Sequence, residues 1–165
     1  MRLFLLALGL MLIGVWLIIV FNYYFQLGGL KINWLLMFML VLTFRHSKLL
    51  LPFVGILAGL ICDALSHGIM GIYGISFFIT LLLVSQLNKL FYVNTLFTVS
   101  MGVFSMSIFE GWLSLSILDM LEPGINQSSL MLTSILPLAA LQGFMTPIIL
   151  KMVIGGENLF LREAA

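Results

Sequence analysis

Two acidic side chains in this chain lie where a charge is costly. Asp63 closes the run GILAGLICD (55–63), and Glu110 interrupts an apolar stretch over 93–118. An ionisable group inside so apolar a segment normally faces protein or a watery cavity. His67 follows Asp63 by four residues, one turn further along a helix. If both segments are helices crossing a membrane, Asp63 lies about 18 Å and Glu110 about 25 Å from the same side. Asp63, His67 and Glu110 therefore form a candidate polar cluster at one depth. Such a cluster would act as a proton or cation relay, or line a pocket for a polar ligand. The structural alternative is that both carboxylates reach headgroup water at ragged helix ends and that His67 is a loop residue. Spacing along the chain leaves both open, and it does not show that the two segments touch.

The same run holds a packing signal. On a helix Gly55, Gly59 and Asp63 fall at i, i+4 and i+8, each step drifting about 40° round the axis. One face then carries two glycines, where another backbone can approach closely, and beyond them a carboxylate. Gly71 and Gly74 follow at similarly close spacing. These four glycines and Asp63 are candidates for helix packing or for docking a partner's helix.

Other catalytic constellations are missing. There is no HExxH, no Walker loop, no GxSxG and no Cys/His pair at metal-ligand spacing. The single cysteine, Cys62, excludes an intramolecular disulfide and a multi-cysteine metal site. His46 and His67 fall on opposite sides of the expected membrane, so they cannot share a metal. Gln86, Asn88, Asn126 and Gln127 read as loop polars, and the 11 methionines and 14 phenylalanines as lipid-facing and core filler. The expectation is a protein with no enzymatic activity, cofactor or metal.

The elements that must position these residues follow from composition. The 165 residues are 62% hydrophobic and 8% charged, with a mean hydropathy of +1.24. A soluble domain of this size needs far more polar surface. The chain reads as an all-α integral membrane protein forming one transmembrane domain, with helices expected over 3–21, 32–44, 51–66, 72–87, 93–118 and 129–154. Arg2 and the apolar run after it resemble a signal peptide. The run is too long, however, and Asn-Tyr-Tyr-Phe-Gln follows it, so it reads as an uncleaved first span. Pro52 suits a first helical turn. Pro137 and Pro147 predict kinks, and Gly155-Gly156 predicts the end of the last helix.

Six spans place both termini on one side. With the N-terminus inside, Arg2, Arg45, Lys48, Lys89, Lys151 and Arg162 are cytoplasmic and only Lys31 is outside, a clear positive-inside pattern. The net charge of +1 points to no nucleic-acid partner.

Asn33-Trp34, the basic turn Arg45 to Lys48, and the pattern Gly55-x3-Gly59-x3-Asp63-x7-Gly71 together resemble the rod shape-determining protein MreD family. Glu110, and Pro147 followed by an apolar run to Lys151, are looser echoes, and about half the chain is covered. Ile32 stands where the family pattern would have a proline. The resemblance implies a six-transmembrane-helix bundle similar to the substrate-binding S components of energy-coupling-factor transporters. It implies a non-enzymatic scaffold of the bacterial cell-elongation machinery, in the cytoplasmic membrane, that helps control cell shape and peptidoglycan synthesis. The implied partner is MreC, a single-span protein. MreB, RodA glycosyltransferase and a class B penicillin-binding transpeptidase follow directly or through MreC. The rival reading is a small-solute, vitamin-like binding subunit of a transporter, with an outward pocket lined by Asp63, Glu110, Trp34 and Trp112.

Overall fold

The computed structural model describes residues 2–24, 32–46, 48–66, 69–90, 95–122 and 127–162. Among them all regular structure is helical: α1 (Arg2–Tyr24), α2 (Trp34–His46), α3 (Leu50–Ser66), α4 (Ile72–Leu90) and α5 (Leu96–Leu121). A short α6 (Gln127–Leu130) then passes through a π-helical turn (Met131–Ile135) into α7 (Leu136–Arg162). The six expected helices are thus present, with ends shifted by a few residues. Leu96–Leu121 and Met131–Asn158 are long and apolar enough to cross a membrane; the other four apolar helices are shorter.

The bundle is organised around α2. Its sequence WLLMFMLVLTF has no polar face, and a helix apolar all round has to be enclosed. Every residue from Trp34 to Phe44 is buried, with α1, α3, α4, α5 and α7 packed about it. Thr43 is tolerated there because its hydroxyl donates to the Met39 carbonyl (2.7 Å). The most extensive helix pair is α3 with α4, followed by α5 with α7.

Each end of α2 has backbone groups to satisfy. At the start, the Asn33 side chain accepts from the Leu36 N–H (3.2 Å). Asn33 is therefore the cap, and the helix begins at Trp34 rather than at Ile32, which is buried beside it. The chain enters α2 without the proline that the family pattern would place at Ile32. At the far end, Asn88 donates its amide to the Phe44 carbonyl (2.6 Å). Asn88, expected as a loop residue, lies within α4, which runs on to Leu90. Similarly, α5 begins at Leu96 rather than 93, because the Thr95 hydroxyl caps it by accepting from the Thr98 N–H (3.3 Å).

The largest departure concerns the last helix. It does not stop at Gly155-Gly156 but continues to Arg162. Two glycines cost a helix only about 1 kcal/mol each, and the extension brings a charged residue into place. Glu157 reaches α2, where Arg45 Nε and Nη2 meet its two carboxylate oxygens at 2.9 and 2.7 Å. His46 Nε2 lies 2.8 Å from Oε1 of the same carboxylate. This two-pronged geometry is the strong form of an Arg–carboxylate contact.

The prolines are met differently. Pro137 follows the π-helical turn, in which the Leu136 N–H bonds five residues back to Met131. That turn absorbs the lost donor of a proline within a helix. Pro147 is carried inside α7. The turns expected at Gly28-Gly29 and Pro123-Gly124 lie outside the described residues.

These observations set two expectations for thermal unfolding of the purified full-length protein in mild detergent. Gly155→Ala and Gly156→Ala should preserve the fold and stabilise it by up to about 1 kcal/mol each, since a methyl group at either position meets nothing within 4 Å. Glu157→Gln should cost about 1.5–3 kcal/mol by breaking a charged hydrogen-bonded pair.

Candidate functional site

The residues singled out by spacing meet at the end of the bundle where α3 gives way to α4. Gly55 and Gly59 do lie on one face with Asp63, and that face is turned inward. All three are buried, whereas Phe53, Leu57 and Leu60 of the same helix are exposed. The glycine seat is taken by α4 of the same chain. A methyl group on Gly55 would strike the Leu81 side chain, and one on Gly59 would strike the backbone of Tyr73 and Gly74. The close packing at Gly55 and Gly59 is therefore internal, whereas a methyl group on Gly71 would meet nothing within 4 Å and one on Gly74 only ordinary contacts. The groove is filled and not open to a partner's helix.

Asp63 completes this junction. Ile72 is the first residue of α4, and the Ile75 N–H closes the first helical bond on Gly71 O (3.0 Å), so Gly71 occupies the cap position. Its φ of +104° suits glycine, but glycine has no side chain to receive the free N–H groups of the first turn. Asp63 supplies the missing acceptor from α3. Its Oδ2 accepts from Gly71 N (2.9 Å) and Gly74 N (3.3 Å), and its Oδ1 from Tyr73 N (3.1 Å). The carboxylate also faces the positive end of the α4 dipole.

Asp63 is only 2% exposed. It is thus neither at headgroup water nor free to relay protons, because both its oxygens are engaged by backbone amides. Any pairing of Asp63 with His67 lies outside the described residues.

Glu110 is also buried, at 6% exposure, so it too departs from the headgroup-water reading. It shares no hydrogen bond with Asp63. Its Oε1 is buried with no partner, as are Ser107 Oγ and Gln142 Oε1. All three residues border a partly open cavity of about 560 Å³ lined by α1, α3, α4, α5, the π-helical turn and α7, together with the residues that lead into α2. Tyr73 and Ser66 border both this cavity and a smaller one beside Asp63. The two acids therefore border adjoining cavities that share part of their walls.

No family model, curated protein or solved structure matches this chain. The roles of its residues accordingly come from geometry. Of the pocket expected from Asp63, Glu110, Trp34 and Trp112, only Glu110 borders the main cavity. Trp112 faces outward, and Trp34 is part of the buried wall of α2.

Several residues were not anticipated. Asn33 Oδ1 also receives the Cys62 thiol (3.4 Å), tying the start of α2 to α3. Ser107 and Gln142 were silent because a lone Ser or Gln in an apolar run carries no motif. The three-residue offset of Ser107 from Glu110 becomes informative only once Gln142 is known to border the same cavity.

Three substitutions separate these roles by thermal unfolding. Gly59→Ala should cost about 1–3 kcal/mol through overpacking against backbone that cannot step aside. Gly74→Ala should be close to neutral, since a methyl group there meets Leu60 at an ordinary 3.5 Å. Asp63→Asn should cost about 1–3 kcal/mol, leaving one of its buried amide donors without an acceptor.

Proposed function

We propose that this chain is a six-span protein of the bacterial cytoplasmic membrane that acts, in the manner of the MreD family, as a non-enzymatic scaffold holding MreC. The inside-out distribution of its side chains supports the membrane part of this reading. Asp63, Ser76, Thr80, Gln142 and Thr146 are buried, while Leu12, Trp16, Phe53, Met70, Phe97 and Phe144 are exposed. That pattern would be unstable in water and suits a hydrocarbon surround. The excess of Lys and Arg at the Arg45 end favours placing that end, with both termini, in the cytoplasm.

The observation that carries the MreD-like part is that the residues bearing the resemblance converge. Asn33, Cys62 beside Asp63, Gly59 and Gly71 form one connected junction of α2, α3 and α4. Those members of the pattern share one joint, while its basic turn lies at the other end of α2, where Arg45 and His46 meet Glu157. Because the glycine groove is filled, MreC would bind on the outward apolar faces. A preassembled bundle presents such a face at little ordering cost. MreB, RodA and the class B transpeptidase would then be reached directly or through MreC.

Co-expression with MreC followed by mild-detergent purification tests the reading. MreC should be recovered with the wild type and with Gly74→Ala. Tryptophan placed on the responsible face, at Leu12 of α1, Leu57 of α3, Ile79 of α4 or Ile148 of α7, should cut recovery about tenfold, equivalent to 1.4 kcal/mol, without lowering the unfolding temperature. Folded protein that never retains MreC, or that retains an ATPase module instead, would refute the scaffold and favour the transporter subunit.

A further inference from the structure

We propose that the cavity beside Glu110 is a binding site for a primary ammonium group carried on an apolar body. Three of the residues that line it each carry a buried polar atom without a partner: Glu110 Oε1, Gln142 Oε1 and Ser107 Oγ. Their residues are 6%, 1% and 6% exposed, so bulk water does not serve them. Two of the atoms are pure acceptors and the hydroxyl can accept. Among the described residues, no Lys, Arg or His borders the cavity, so its wall supplies no counter-charge for an ionised Glu110. Ionised, Glu110 has one hydrogen bond from Ser114, an oxygen without a partner and no counter-charge, an arrangement that burial disfavours. An ammonium supplies the missing charge together with three N–H donors.

Size and walls define the rest of the ligand. At about 560 Å³ the cavity falls within the range of small-molecule sites, roughly 300–1,000 Å³. It is far larger than a single ion or water needs. Ile18, Ile32, Ile135 and Leu138 make its wall largely apolar, which selects against a fully hydrated polyamine. Two sources share this chemistry: a free amphiphilic amine, and the ethanolamine headgroup of a membrane lipid. The site is independent of MreC binding, and a failure of MreC co-purification would leave it standing.

Cys62 is the only cysteine of the chain and borders the same cavity, so its alkylation by N-ethylmaleimide reports occupancy in the unmodified full-length protein. The probe is phenethylamine, with the isosteric alcohol 2-phenylethanol as the uncharged control. In nanodiscs of phosphatidylglycerol alone, millimolar phenethylamine should slow alkylation about tenfold at ten times its dissociation constant. It should also raise the unfolding temperature, while the alcohol does neither.

Nanodiscs containing phosphatidylethanolamine identify the source. Slow alkylation there without added amine assigns the site to the lipid headgroup, and fast alkylation assigns it to a free amine. Glu110→Gln should abolish protection in both discs. If that variant does not fold, the amine-against-alcohol comparison on the native protein decides alone. Equal protection by amine and alcohol, or no protection from either amine source, overturns the proposal.

Discussion

The carboxylate of Asp63, set against the open start of α4, is the interaction on which the arrangement of this bundle depends. A helix that begins inside an apolar assembly has N–H groups with no carbonyl to meet and no water to take its place. Gly71 gives the chain the left-handed turn it needs but offers no acceptor of its own. Asp63 reaches across from α3 and takes three of the N–H groups. For its oxygens to arrive there, α3 and α4 must lie almost backbone to backbone. That proximity is what the missing side chain of Gly59 permits. Charge, turn and small residue form one joint, and loss of any member frustrates the other two.

The same constraint recurs at the opposite end of the bundle. There the carbonyls that end α2 are met by Asn88, and the Arg45 and His46 side chains after them are held by Glu157. With only 8% of its residues charged, the chain spends much of its limited polarity on helix ends rather than on helix faces. This also explains why α2 can be short and entirely apolar. Its side chains are held by hydrophobic packing and close contact on all sides, while its ends are served by residues from other helices.

Much of this was legible in the chain itself. The number of helices, their approximate limits and the shared face of Gly55, Gly59 and Asp63 follow from hydropathy and a period of 3.6. What the face would meet did not follow, because a glycine groove fits a neighbouring helix of the same chain and a helix of another protein equally well. Geometry decides for α4. The end of α7 was misread for a related reason. Gly155-Gly156 is a stop signal locally, and its weak penalty is overridden by a contact between Glu157 and Arg45, 112 positions apart in sequence. The cavity was legible only as the suspicion that Glu110 was badly placed. Its walls draw on five helices, the π-helical turn and the entry to α2, and no period within one segment encodes that meeting.

Against this economy Glu110 stands apart. Buried hydroxyls such as those of Ser76 and Thr146 satisfy themselves on the carbonyl one turn back, a solution open to a donor. An ionised carboxylate cannot donate, and its own helix offers it only the Ser114 hydroxyl, which leaves Oε1 without a partner. Glu110, Gln142 and Ser107 border one hollow, each with a buried polar atom that has no partner, while Thr80 and Ser100 carry such atoms away from it. Apolar side chains there would close the space and tighten the bundle. The hollow is therefore a cost to folding, and it is best understood as room kept for a molecule that the helices do not themselves provide.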